Sequence, residues 1–297
     1  MNVKIEIYGL KIDREIAPNT DLSALIVDEA ERQVGGVRDG DIIVVTSKIV
    51  SKAEGRIHKL AEIKPSRKAI RLSKFFKTPP EVMELYLKAG NVVAVIPVEK
   101  FARRFGRFFV EHAFNPNAAW KVIEGHPYLF VVDVDGKLLS WGGIDFSNAP
   151  PGFCTAPPEN PDESAKSIRL GIKRLTGREV AVVIADTEWK LDRFGSVDVA
   201  IGSSGIQPVK KGFGAKDLYG KPKFGGVDNL VDLVSAAANM VFGQAGEATP
   251  VAIIRGLRYE KSEGGVKDIV YSRKMFREAF KAVVWESVKF KLLSKLL

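Results

Sequence analysis

Two periods of apolar and polar residues alternate along the chain, one suited to strands and one to helices. Val3, Ile5 and Ile7 alternate with other residues and predict a strand over 3–8. Asn19-Thr20-Asp21 then offers capping oxygens to a helix carrying Leu22, Leu25, Ile26 and Ala30, which Gly35-Gly36 ends. After the turn at Asp39-Gly40, a strand over 41–45 delivers Thr46-Ser47-Lys48, and soon after Ser51-Lys52, to its C-terminal end. In α/β folds that end is where ligands commonly bind. Helices are expected over 66–76 and after Thr78-Pro79-Pro80-Glu81, and a strand over 91–96. Residues 99–114 fit one helix with Phe101, Phe105, Phe108 and Phe109 near one face, a core or interface stripe in preference to a cofactor platform.

Further along, Asp135-Gly136 suits a primed turn and predicts a hairpin over 128–139. A Pro-rich connection over 149–161 leads to a helix over 163–175 and to the apolar run Val180 to Ala185, a strand ending in Asp186-Thr187. Residues 195–226 are glycine-rich with few long apolar runs and read as loops that let backbone approach a bound group. A helix over 227–242, the loop Gly243-Gln244-Ala245-Gly246-Glu247 and a strand over 250–255 follow. Residues 272–297 form a basic amphipathic helix whose Phe276, Phe280, Val283, Val284 and Val288 would pack on the body or on a second subunit, with a membrane surface as the alternative.

Composition narrows the class. The 297 residues hold one large or two ordinary domains, and 45% hydrophobic content excludes global disorder. No stretch reaches the roughly 18–20 apolar residues of a membrane span, so a cytoplasmic protein is expected. The single cysteine, Cys154, lies in a Pro-rich loop with no nearby His and reads as an ordinary residue. A net charge of +9 favours anionic partners, either nucleic acid or small polyanions such as nucleotides. The basic clusters Lys100 to Arg107 and Lys289 to Lys295 accompany no nucleic-acid-reading module and read as solvated helix faces.

The chemistry rests on carboxylates. The Walker A spacing and the Gly-x-Gly-x-x-Gly fingerprint are absent, and His58, His112 and His126 have no metal-ligand spacing. Asp186 closes an apolar strand with the Thr187 hydroxyl beside it, and Asp145 follows the Gly142-Gly143 bend with Asn148 three residues later. Hard oxygen ligands of this kind suit magnesium or manganese bridging phosphate oxygens. Each Asp alone reads more readily as a cap or turn residue than as a ligand. Their combination with glycine-rich loops and with Lys48 and Lys52 points to a nucleotide-using enzyme.

Taken in order, several blocks resemble the coenzyme F-420-0 gamma-glutamyl ligases. The first runs from Asp39-Gly40-Asp41 through Ser47-Lys48 to Ser51-Lys52-Ala53-Glu54-Gly55-Arg56. Next come Gly143-Ile144-Asp145-x-Ser147-Asn148, Pro161-Asp162-x-Ser164-Ala165 and Asp186-Thr187. Asp198-Val199-Ala200-Ile201-Gly202, Asp217-Leu218-Tyr219-Gly220, Gly243-Gln244 and Arg255-Gly256 complete the set. The resemblance implies an α+β, mixed-sheet, two-domain ligase fold forming an intertwined homodimer, with 1–257 as two interleaved subdomains. An insertion near 98–126 and a helical extension over 258–297 would be additions. It implies a ligase that uses GTP and magnesium or manganese, with potassium a further candidate, to join L-glutamate to the lactyl carboxylate of the deazaflavin acceptor through an acyl phosphate.

By the same resemblance, metal ligands fall at Asp145, Asp186, Thr187 and Gln244, with Asp145 and Asp186 at the catalytic centre. Nucleotide contacts fall at Leu10, Lys11, Ile12, Asp13, Ser47, Lys48, Lys52 and Asn148, and along Phe242, Gly243, Gln244, Ala245, Gly246, Glu247, Ala248 and Thr249. The chain departs from the family pattern in two places. Lys11 stands near the family's Pro, and Trp189-Lys190 replaces a Gly-Arg pair. The alternatives are an amide ligase of the same family with another acid acceptor, and a non-catalytic homologue that binds nucleotide or nucleic acid. Retention of Asp145, Asn148, Asp186, Thr187 and Gln244 argues for catalysis, because a binding module has no need of that set.

Overall fold

A computed structural model describes residues 4–190 and 192–296. Val3 and Leu297, expected in the first strand and the last helix, lie outside them. The chain begins β1 (Glu6–Leu10), α1 (Leu22–Val34), β2 (Ile42–Thr46), α2 (Ser47–Ala53), β3 (Ile57–Lys59), α3 (Arg67–Phe76), α4 (Pro80–Ala89) and β4 (Asn91–Ile96). It continues α5 (Val98–Arg104), α6 (Gly106–Glu111), α7 (Pro116–Gly125), β5 (Leu129–Val134), β6 (Lys137–Ser140) and β7 (Phe153–Thr155). The last third holds α8 (Pro161–Thr176), β8 (Ala181–Trp189), β9 (Ser196–Ser204), α9 (Leu230–Phe242), β10 (Val251–Arg255) and α10 (Arg273–Leu296).

Local chemistry sets most of these boundaries. Asp21 Oδ1 accepts from the amides of Ser23 at 2.9 Å and Ala24 at 3.1 Å, and left-handed Gly35 ends α1. Ser66, Asn115, Asn160 and Asn229 cap α3, α7, α8 and α9 in the same way. Asp135 and Gly136 both take positive φ, 49° and 83°, as the primed turn between β5 and β6 requires.

The central sheet is mixed, in the order β1-β10-β2-β8-β9, and only β2 and β8 run parallel. Both faces are covered, which is why β2 and β8 read as continuous apolar runs. Ile43, Val45, Val182 and Ile184 face α1 and α8, while Ile42, Val44, Ala181 and Val183 face α9. A second core gathers Val82, Met83 and Tyr86 of α4 against Phe130 and Val132 of β5, in the three-stranded sheet β4-β5-β6. The architecture is therefore α+β with a mixed sheet.

Motif blocks far apart in sequence meet in buried pairs that hold this frame. Arg255 at the end of β10 donates to Asp41 through Nε at 2.9 Å and Nη2 at 2.7 Å, and Nη2 also reaches the Gly36 carbonyl. Asp162 at the start of α8 accepts from the amides of Ser203, Val266 and Lys267. Gly202 lets α8 approach β9, since a Cβ there would lie 2.5 Å from the Pro161 carbonyl oxygen.

Three expectations change. Residues 99–114 do not form one helix: α5 stops at Phe105 (φ −119°), α6 begins at Gly106, and α7 follows from the Asn115-Pro116 start. Gly106 weakens helix continuity, and the aromatic stripe stays outside the core, with Phe108 and Phe109 edge-on to Phe194. Within 195–226, nine residues form β9. The Gly-Ser content of β9 hides its alternation until β8 supplies a partner, and with that partner β8 runs past Ala185 to Trp189. Finally, of the two partners expected for the apolar residues of α10, the body does not cover them: Phe280, Val283, Val284 and Val288 are all exposed. Among the described residues, no helix is long and apolar enough to cross a membrane.

Candidate functional site

Four segments converge on one cleft of about 620 Å³: the β2–α2 junction, the turn after β6, the outer half of β8 and the loop after α9. The parallel pairing of β2 with β8 sets Thr46 beside Ala185, so Ser47, just past the end of β2, comes level with Asp186 inside β8. Ser47 Oγ donates to Asp186 Oδ1 at 2.9 Å. A register shift between Ile184 and Ala185 immediately precedes Asp186, a place where a bulge commonly re-aims a side chain.

Opposite lies the turn 145–148. The Ser147 amide donates to Asp145 Oδ1 at 2.7 Å, and left-handed Asn148 (φ 52°) sends its amide nitrogen to the Ala245 carbonyl at 3.1 Å. Lys48 on α2 pairs with Asp145 at 2.9 Å and also contacts the Ser147 hydroxyl. The loop 243–249 turns into the cleft at Gly243, whose φ of 71° and ψ of 179° suit only glycine. Glu247 closes the loop by accepting from the Ala245 amide at 2.8 Å, which lowers its pKa. The Ala248 carbonyl accepts from the Ile12 amide at 2.8 Å, tying in the segment after β1.

Negative charge accumulates on one wall. Poor access to water, then the charge of Glu188, push Asp186 up to about 7 against the hydroxyl of Ser47, with Asp145 adding to the rise. Burial likewise raises Glu188 and Asp198. Glu188 is held by Ser140, whose amide and hydroxyl donate to its carboxylate. That contact fastens the β5–β6 hairpin to β8. Asp198 accepts from Thr187 Oγ1 and from Asn239 Nδ2, both at 2.7 Å.

The donor set fits a hard divalent cation. Among the described residues no three His, Cys, Asp or Glu side chains form a ready ligand group. Magnesium, however, commonly takes one or two carboxylates and completes its shell with water and substrate phosphates. Asp145 and Asp186 supply the carboxylates, and the raised Asp186 marks a charge that a bound cation would stabilise.

Of the nucleotide and metal candidates, Ile12, Ser47, Lys48, Lys52, Asp145, Asn148, Asp186, Thr187 and the segment 242–249 line the cleft. Leu10 is buried in the core, and Lys11 and Asp13 pair with each other at 3.4 Å, away from the lining. Arg14, Trp141, Trp189 and Asp198 also line it, although sequence reasoning assigned them no site role. Asp198 sat in a recognised motif block, but its cross-strand position opposite Thr187 was the missing signal. Cys154 is buried on β7, which pushes its thiol up to about 11, consistent with an unreactive residue.

The family model described as F420-0:Gamma-glutamyl ligase matches residues 9–256. A coenzyme F420:L-glutamate ligase of Methanopyrus kandleri is 32% identical over 280 residues, covering 93% of this chain and 98% of that protein. The protein of that name from Methanothermobacter thermautotrophicus is 33% identical, covering 91% of this chain and 97% of its own length. Its counterpart from Archaeoglobus fulgidus is 31% identical over 91% of this chain and 94% of that protein.

Proposed function

Because the chain belongs to the F420-0:Gamma-glutamyl ligase family and is an amide-bond-forming ligase, we propose that it joins L-glutamate to the lactyl carboxylate of coenzyme F-420-0 at the expense of GTP. The observation that carries this reading is the meeting of Lys48, Asp145, Asp186 and the 243–249 loop in one cleft. A free carboxylate is a poor acyl donor, so it must first be activated. One acceptor carboxylate oxygen attacks the γ-phosphorus, the bond from that phosphorus to the β–γ bridging oxygen breaks, and GDP leaves. The glutamate amine then attacks the acyl carbon of the acyl phosphate, inorganic phosphate leaves, and the amine proton passes to solvent.

The chain's own part is positioning and electrostatics. Lys48 and Lys52 neutralise phosphate charge, and amides of the 243–249 loop approach phosphate oxygens. Ser47 holds Asp186 in orientation. Asp145, Asp186, Thr187 and Gln244 would hold magnesium or manganese, which supplies charge neutralisation at the transferring phosphoryl group.

A second acceptor is favoured by one observation: Trp189 lines the cleft where the family carries glycine. Incubation with GTP, manganese, L-glutamate and a panel including F-420-0 separates the two readings by mass spectrometry. F-420-0 gaining a glutamyl group with release of GDP supports the first. Gain only on another acid replaces the acceptor, and gain on none, with no GDP formed, removes the ligase assignment for this cleft.

The same proposal includes a cytoplasmic, intertwined homodimer in which residues 1–257 of each chain form two interleaved subdomains. Exposed Phe213, Leu218 and Phe224 in the segment between β9 and α9 support an interface between copies. Light scattering that returns a monomer mass at micromolar concentration would remove the dimer.

A further inference from the structure

Asp198 forms no hydrogen bond with either carboxylate of the proposed cation site, yet it bonds to one of that site's uncharged ligands, Thr187. Antiparallel pairing of β8 and β9 sets it directly opposite Thr187, so both side chains rise from the same face of the sheet. Thr187 Oγ1 donates to Asp198 Oδ1 at 2.7 Å. A threonine hydroxyl has a single proton, and once that proton is committed to Asp198, the oxygen turns only lone pairs toward the cleft. Asn239 on α9 donates to Asp198 Oδ1 at 2.7 Å and so ties the carboxylate to a third element. Asp198 itself is buried, with 3% of its surface exposed, which restricts its rotamers.

We propose that Asp198 is a positioning residue that fixes the hydrogen-bond polarity of Thr187, making its hydroxyl present oxygen lone pairs to a divalent cation. The inference rests on the metal site proposed above. It goes further by assigning a job to a residue outside that ligand set, and a reason why a neutral hydroxyl can serve as a ligand beside Asp186. Asn239 acts one step farther out, holding Asp198 in place. Partners of this kind commonly change metal affinity about 10–100-fold when removed.

The test measures Mn²⁺ binding to the full chain by electron paramagnetic resonance and calorimetry, for the wild type, Asp198→Asn and Asn239→Ala. An asparagine at 198 can direct its own NH₂ at Thr187 and release its polarity. Asp198→Asn is therefore expected to weaken Mn²⁺ binding about 10–100-fold, and Asn239→Ala less. Turnover of Asp198→Asn should recover toward the wild-type kcat at saturating manganese, because the variant loses ligand orientation and keeps the reacting groups. A loss of folded protein would depress kcat at every metal concentration, and melting curves identify that case. Wild-type binding of Mn²⁺ with Asp198→Asn within about twofold overturns the positioning role alone. Should the wild type bind no Mn²⁺, the metal site falls, and the role of Asp198 with it.

Discussion

Lys48 lies 2.9 Å from Asp145, so a cationic side chain from α2 and a carboxylate from the turn after β6 close the cleft from opposite sides. Both are partly exposed, and their mutual attraction alone is worth little in water. The value of the pair is its position, since Lys48 can move its charge from Asp145 to an incoming phosphate. Lys48→Met is expected to raise the KM for GTP about tenfold or more while leaving the melting temperature within about 2 °C. Steady-state kinetics with varied GTP check this, and an unchanged KM removes Lys48 from the nucleotide site.

Asp186 gives a prediction with opposite signs for activity and stability. Its pKa in the fold, about 7, lies above its ordinary value of 3.8. Below about pH 4 the group is protonated in both folded and unfolded chains, so its ionisation costs the fold nothing. As pH rises to about 7, the unfolded chain gives up its proton first and the metal-free fold loses stability, a loss complete above the folded pKa. Asp186→Asn should abolish this dependence and raise the melting temperature at pH 8 in chelator by about 2–4 °C. Turnover should fall at least about 100-fold. Equal melting temperatures for the two proteins across pH 4–8 would contradict the assigned cause.

Arg255 and Asp41 stand 214 residues apart in sequence and form a buried bidentate pair, with side chains 10% and 2% exposed. Removing one partner strands the other charge. Asp41→Leu is expected to cost about 3–5 kcal/mol in urea unfolding, and the double substitution with Arg255→Met to recover part of that loss. Additive losses in the double variant would show that the two residues act independently.

Trp189 and Trp141 line the same cleft as Lys48 and Lys52. Trp189→Gly is expected to change the acceptor KM several-fold and to leave the GTP KM within about twofold. An equal effect on both constants would place Trp189 in general support of the cleft.

Much of the frame was legible along the chain. Helix α1 announces itself by Asp21 and Gly35, the hairpin by Asp135-Gly136, and the buried parallel strands by unbroken apolar runs, because capping, turn and burial preferences act over a few residues. The metal candidates Asp145, Asp186 and Thr187 also stood out, since each sits beside a local strand or glycine signal.

Other features depended on partners distant in sequence. The Gly-Ser strand β9 exists because β8 pairs with it, and the apolar residues of α10 find no cover on the body. The same distinction runs through the site. Residue order fixes which oxygen and amine groups the chain can offer. Tertiary structure decided which of them meet, setting Asp198 across a strand from Thr187 and Lys48 against Asp145, because a hydrogen bond or ion pair depends on distances of about 3 Å that residue order does not encode.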